Sequence, residues 1–315
     1  MSKKDKLDVV IIGGGIAAHT AAIYTARASL KPLIISGPEL DQLSLTTMVE
    51  NFPGFPKGIL GPDLIKNSKE QAQRFGAKYI EGKVISLKQT KDSFEIKTEE
   101  ESFTSRTVVI STGASARKLG VPGEDKYFGR GVSTCAVCDA AIFSGKDVVV
   151  VGGGDSAMEE TLALYKFAKS IKIIHRRDAF KASKIMQDRV LKLNDKVEVI
   201  WDTAVTEVLG EGKFVTGVKI KNLKTNEVKV IPCQGMFLAI GHIPNTDFLK
   251  GMVKTDKEGY IITDRKSRTS VEGIYAAGDV QDPIFKQAIT SAGSGCQAAI
   301  EAERFIEKLK ATGRY

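Results

Sequence analysis

The chain has 315 residues, 42% of them hydrophobic and 27% charged, with a formal charge of +8. That length exceeds the ~250–300 residues at which one core stops growing, so two domains are expected, and the near-average composition excludes a disordered protein. The basic balance does not mark a nucleic-acid binder, because lysines and arginines are spread along the chain with no run beyond a doublet such as Lys3-Lys4 or Arg176-Arg177.

The opening MSKKDKLDVVIIGGG has too few apolar residues before its glycines for a secretory signal, and far fewer than the ~20 that span a bilayer. A cytoplasmic protein that engages no membrane is expected. In that setting four cysteines do not make a disulfide framework.

Leu7 to Ile12 is a β-branched run of the kind buried on both faces of a parallel sheet. It ends in Gly13-x-Gly15-x-x-Ala18 and passes into an alanine-rich helix. In such a strand, turn and helix the first glycine permits the tight turn, and the second lets backbone N–H groups approach a pyrophosphate. The third small residue brings helix and strand together. The next run, Pro32 to Ile35, ends at Ser36-Gly37-Pro38-Glu39, where Glu39 would accept from a ribose hydroxyl, as the ADP half of FAD requires.

STCAVCDAA, from Ser133, sets Cys135 and Cys138 three residues apart with Asp139 behind them. Zinc needs three or four ligands. Cys233 and Cys296 are isolated, and His19, His175 and His242 show no ligand spacing relative to the pair, so no metal is expected. A redox dithiol fits better, since the spacing brings two sulfurs within disulfide reach and a short helix starting here would favour a thiolate. Asp139 would deliver or take the proton, or would serve only as a helix-capping acid. Cys233 and Cys296 read as core residues.

Asp147 to Val151 repeats the first device, ending in Gly152-x-Gly154-x-x-Ala157 before another helix, 139 residues after the first. Its following strand, Ser170 to Ile174, runs into His175-Arg176-Arg177. An acid there would suit a free 2′-hydroxyl; paired guanidinium groups suit a 2′-phosphate, so this nucleotide is NADPH. Near the end, Gly273 to Val280 is again a strand into a glycine turn with an acid. This late strand would complete the first sheet and make the second domain an insertion in the first. The expected fold is therefore α/β, with two Rossmann-like, doubly wound, three-layer domains. Residues 1–116 and 245–315 would bind FAD, and residues 117–244 would bind NADPH and carry the CxxC.

From residue 7 to about residue 309 the chain resembles the low-molecular-weight thioredoxin reductases. The motifs that carry the resemblance are GGGIAAHTAAIYTARA, VENFPGFP, STGA, GRGVSTCAVCDA, VVVVGGGDSAMEE, HRRDAF, AIGHIPNT, GIYAAGDV and QAITSAGSGCQAA. The most specific is CxxCD inside the inserted nucleotide domain.

The resemblance implies that Gly13, Gly15 and Ala18 hold the FAD pyrophosphate. It puts Ser36, Glu39, Gln42 and Asn51 along the ribose and flavin, and Asp279, Gln287 and Ala288 at the ribityl and isoalloxazine ends. Gly152, Gly154, Asp155, Ser156 and Ala157 would hold NADPH, with His175, Arg176 and Arg177 at the 2′-phosphate and Ile240-Gly241 beside it. Arg130 is the implied contact for thioredoxin, and the relatives are homodimers. Implied too are hydride transfer from NADPH to flavin, reduction of a Cys135–Cys138 disulfide, exchange with thioredoxin, and rotation of the inserted domain about its two linkers. The alternatives are a same-scaffold reductase for another thioredoxin-fold or peroxiredoxin partner, and a non-catalytic redox sensor. This chain departs from the family pattern at Leu40-Asp41-Gln42-Leu43, where glycines are usual, and at Lys181, where an arginine is common.

Overall fold

The computed structural model describes residues 6–38, 41–45 and 48–315. The chain divides into two compact units, one formed by residues 1–115 and 243–315 and the other by residues 116–242.

The first unit is built on a seven-stranded sheet. Leu7–Ile12 runs parallel to Pro32–Ser36 on one side and to Ser102–Ile110 on the other, and Lys78–Glu81 extends the sheet beyond Pro32–Ser36. These strands are runs of Val, Ile and Leu because both faces are covered. Val9, Ile11, Ile34 and Val109 pack toward the helices Ile16–Arg27 and Ala288–Ala311, while Val10, Ile12, Ile35, Val108 and Ile110 pack on the opposite side. Each such side chain contributes ~1.5–3 kcal/mol when removed from water.

The nine-residue strand Ser102–Ile110 divides its other edge. Its first half pairs antiparallel with Phe94–Thr98, and its second half, Val108 to Ile110, pairs in parallel with the late strand Ile274–Ala276. The strand after the insertion thus closes the sheet begun before it, as the repeat pattern implied.

The second unit has a five-stranded parallel sheet in the order Val132–Ser133, Gly235–Ala239, Asp147–Gly152, Ser170–Ile174 and Val197–Ile200. A three-stranded antiparallel sheet, Thr203–Glu211, Phe214–Asn222 and Val228–Pro232, covers one face with Val205, Val208, Val218 and Ile231. The helix Asp155–Tyr165 covers the other through Ala157, Met158 and Leu164.

Two helices of the first unit meet without side chains between them. A Cβ added at Gly295 would lie 2.4 Å from the Ala17 carbonyl oxygen, so the helices Ile16–Arg27 and Ala288–Ala311 touch backbone to backbone there. Among the described residues no helix is long and apolar enough to cross a membrane. Replacing Gly295 by Val should force these helices apart at a cost of about 1–3 kcal/mol, seen as a Tm several degrees lower. Gly293→Ala, whose added Cβ meets nothing within 4 Å, should leave Tm unlowered.

Candidate functional site

The two glycine turns have the same local geometry. Gly13 (φ +133°) and Gly152 (φ +155°) leave their strands in a backbone conformation that favours glycine. In both, an added Cβ would collide with the carbonyl oxygen ending the adjoining parallel strand: Ser111 at 2.1 Å for Gly13 and Ala239 at 2.3 Å for Gly152. Gly15 and Gly154 are the N-caps of the two helices, and neither helix receives a side-chain cap. Space over Gly154 is open, and the nearest atom to an added Cβ at Gly15 is Asp41 Cβ at 3.8 Å. Ala18 and Ala157 are fully buried where each helix leans on its sheet. Among the described residues each turn therefore leaves N–H groups without a partner and presents the positive end of a helix dipole to an anion that can approach closely, which fits a dinucleotide pyrophosphate.

In the second unit a loop is fastened to the turn from three directions. The N–H groups of Lys181 and Ala182 donate to the Gly153 carbonyl at 2.7 and 3.1 Å. Ser183 donates to Asp155 from its N–H at 2.9 Å and from its hydroxyl at 2.8 Å, and these bonds hold the Asp155 carboxyl below the ordinary carboxylate range. The His175 ring fills the place of a Gly153 side chain, with its Cε1 2.2 Å from where a Cβ would stand. His175 Nε2 donates to the Ala179 carbonyl at 3.1 Å, and the ring packs against Phe180 and Trp201. Asp155 and His175 thus brace the loop from within. Arg176, Arg177 and Lys181 are exposed on it, and Ser156 is exposed in the first turn of the helix. Ile240 and Gly241 follow the strand that carries Ala239, and Gly241 adopts φ +98°.

In the first unit Ser36 ends its strand and donates to the Ile80 carbonyl at 3.2 Å. Gln42 opens the short helix Gln42–Leu45; Glu39 lies outside the described residues. Asp41, in place of the family's glycine, caps that helix by accepting from the N–H groups of Leu43 and Ser44 at 3.0 and 3.1 Å. Asn51 donates to Gln287 at 3.3 Å and lies on an open, shallow depression along residues 50–56. Gln287 caps the helix Ala288–Ala311 in a reciprocal box with Thr290. Asp279, in the turn after the late strand, accepts from Ser291 at 2.8 Å, and burial raises its carboxyl.

Cys135 and Cys138 form a disulfide, with Cα atoms 5.3 Å apart. Cys135 is the N-cap of the helix Ala136–Asp139, and the Cys138 N–H points at its sulfur at 3.2 Å. Cys138 and Val137 are exposed. Ser133 connects the pair to the acid: its hydroxyl accepts the Cys135 N–H at 3.1 Å and donates to Asp139 Oδ2 at 2.6 Å. Asp139 Oδ1 is inaccessible and has no hydrogen-bond partner among the described residues. Burial raises this carboxyl against the pull of the Ser133 bond, so the acid next to Cys138 in sequence binds a proton more readily than a surface aspartate. Its side chain caps no helix: Cys135 is the N-cap of Ala136–Asp139, and the turn Ala140–Phe143 that follows receives no side-chain cap from Asp139.

Cys233 is a core cysteine, its thiol pushed up to about 12 by burial. Cys296 is only half-buried, beside the Tyr24 hydroxyl, because its helix turns this residue toward the rim of the core. Arg130 is exposed. Sequence reasoning missed Ser133, Ser183 and Glu160. Ser183 and Glu160 act on partners 28 and 24 residues away, whereas the partners of Ser133 lie two and six residues ahead, within the cysteine motif itself, where its hydroxyl went unread.

The family model for pyridine nucleotide-disulphide oxidoreductases matches residues 7–295. The chain is 48% identical over 305 residues to a thioredoxin reductase of Rickettsia typhi, covering 95% of this chain and 98% of that protein. It is also 48% identical over 312 residues to one of Streptomyces coelicolor, covering 97% and 95%. The solved structure of thioredoxin reductase from Streptococcus pyogenes is 43% identical and superposes with a TM-score of 0.91 over 96% of this chain and 99% of that one. A disulfide directly before an acid, on a unit that itself carries a nucleotide turn, accords with these likenesses, and the chain belongs to the thioredoxin reductase family of pyridine nucleotide-disulphide oxidoreductases.

Proposed function

We propose that this protein is an NADPH-dependent, FAD-containing enzyme that reduces the disulfide of thioredoxin through Cys135 and Cys138. The observation that carries this reading is the Cys135–Cys138 disulfide with a raised carboxyl at Asp139 behind it, on a segment where Cys138 is exposed.

FAD would be held in the first unit by the Gly13–Gly15 turn and Ala18, with Ser36, Glu39, Gln42, Asn51, Asp279, Gln287 and Ala288 along its length. Bound there, it supplies a two-electron relay between NADPH and the disulfide. NADPH would lie on the Gly152–Gly154 turn and the backbone of Asp155, Ser156 and Ala157, near Ile240 and Gly241. Arg176 and Arg177 would meet its 2′-phosphate, and Asp155 and His175 keep their loop fixed on the turn. Lys181 adds charge but not a planar fork.

Reduction by one electron pair breaks the sulfur–sulfur bond and leaves two sulfur anions, which take up two protons to become thiols. Asp139 supplies the first proton and is left as the carboxylate, which the Ser133 hydroxyl then stabilises. In the return half, a thiolate of the pair attacks the disulfide of thioredoxin, forming a mixed disulfide and releasing a partner sulfur that takes a proton. The second cysteine attacks the mixed disulfide, frees the other partner sulfur and restores the Cys135–Cys138 bond. Exposed Cys138 and Val137 present the pair to a protein substrate, and Arg130 would contact it. The reading includes a homodimer in the cytoplasm.

Purified protein with FAD should oxidise NADPH when given a thioredoxin disulfide. Failure with every thioredoxin tried, but turnover with another thioredoxin-fold protein or a peroxiredoxin, would move the reading to that partner. Serine at Cys135 or Cys138 should reduce this turnover to background while the flavin stays bound.

Replacing Arg176 and Arg177 together by Ala should raise the KM for NADPH roughly a hundredfold, about tenfold per lost charge-assisted pair, with kcat and the KM for NADH little changed. Asp139→Asn should lower kcat about a hundredfold at unchanged KM for NADPH, the size expected of a lost general acid. A pH profile of kcat that is the same for the wild type and for Asp139→Asn would remove this acid from the mechanism.

A further inference from the structure

A second carboxyl stands behind the cysteine pair. Glu160 lies on the helix Asp155–Tyr165, which packs on the short helix Ala136–Asp139. Its Oε2 accepts the backbone N–H of Ala136, the residue immediately after Cys135. That bond occupies one of the donors whose partial positive charge lowers the cost of a thiolate at the start of a helix.

Glu160 is half-buried. Burial pushes it up to about 7, and the charges of Asp139 and Glu159 add to this, against the lowering by the Ala136 bond. The helix that carries it, Asp155–Tyr165, packs through Ala157, Met158 and Leu164 into an apolar cluster with Val148, Val150 and Phe237. Among the described residues, the charged groups that bear on Glu160 are Asp139 and Glu159. The two carboxyls repel one another when both are charged, and Glu160, pushed up to about 7, carries its charge at alkaline pH. In the alkaline range where thiols titrate, two carboxylates then stand behind the pair.

We propose that Glu160 is the positioning residue that keeps the Cys135–Cys138 dithiol strongly reducing, by occupying the Ala136 N–H and by adding a second negative charge beside Asp139. The proposal deepens the functional reading above and rests on its dithiol. An environment that stabilises a thiolate stabilises the reduced form and makes a disulfide an oxidant; one that withholds such support makes the dithiol a better donor of electrons. The expected thiolate-favouring helix start is present in outline at Cys135, but Glu160 counteracts it.

The test uses the full-length protein, reduced with dithiothreitol and desalted without air. Iodoacetamide alkylation of Cys135 and Cys138 is followed against pH by mass spectrometry, which separates them from Cys233 and Cys296. Glu160→Gln keeps an acceptor for the Ala136 N–H and removes the charge. It should lower the alkylation midpoint by about one pH unit and shift the equilibrium with glutathione about tenfold toward dithiol, equivalent to about 30 mV.

Glu160→Ala, which also frees the N–H, should shift both further, while Glu159→Gln leaves the midpoint in place; thermal melting establishes that each variant is folded. Folded Gln and Ala variants with an unmoved midpoint, or an equal shift from Glu159→Gln, would overturn the proposal. Alkylation needs no NADPH, flavin or thioredoxin, so the outcomes separate. An enzyme active on thioredoxin with an unmoved midpoint sinks only the role of Glu160. A shifted midpoint in a protein that reduces no thioredoxin sinks only the functional reading.

Discussion

Two places where a Cβ cannot exist govern much of this protein. At Gly13 and Gly152 the backbone passes so close to the end of the neighbouring parallel strand that any side chain would strike a carbonyl oxygen. This close approach lets each helix begin directly at the carboxyl end of its sheet with its first N–H groups open, and the small residues Ala18 and Ala157 keep the helices against the strands. Both turns are thus shaped to suit an anion by backbone geometry, with little need of side-chain chemistry. The side chains around the turns act mainly on one another, and the tethering of the arginine loop through Gly153, Asp155 and His175 is the clearest case.

The cysteine centre is built differently. Its parts come from a strand end (Ser133), a four-residue helix (Ala136–Asp139) and the helix that follows the second nucleotide turn (Glu160). Ser133 positions Asp139, Glu160 takes the Ala136 N–H, and apolar packing beneath the helix raises both carboxyls. The second glycine turn and the cysteine pair therefore meet on one helix, Asp155–Tyr165, which starts at the turn and reaches the pair through Glu160.

Most of the fold was legible because its signals are local. Val-rich runs ending in glycines predict parallel strands followed by helices, and their repetition at 139 residues, with a late third strand, predicts an insertion. The charge of Arg176 and Arg177, the CxxC spacing and the adjacent acid were legible for the same reason. What could not be read depends on contacts across the chain. Asp155 belongs to a ligand-binding motif, yet its carboxyl is engaged by Ser183, 28 residues later. His175 stands next to two exposed arginines, yet it turns inward because Gly153 leaves a hole the size of its ring. Asp41 looked like a departure from a glycine loop; it stabilises a short helix by capping it. Cys296 sits among small residues that suggest burial, but its position on the helix leaves it at the rim.

The divided edge of Ser102–Ile110 bears on how the chain comes to be folded. Residues 116–242 form a continuous stretch whose sheet contains all its own strands, so this unit has every partner it needs once the ribosome has released that stretch. The host sheet does not: Val108 to Ile110 wait for Ile274–Ala276, about half the chain further on. Until then part of a very apolar strand edge is unsatisfied, a condition that slows assembly and invites mispairing. Biosynthesis therefore favours completion of the guest before its host, with the nascent outer sheet the stage at which a chaperone has most to protect.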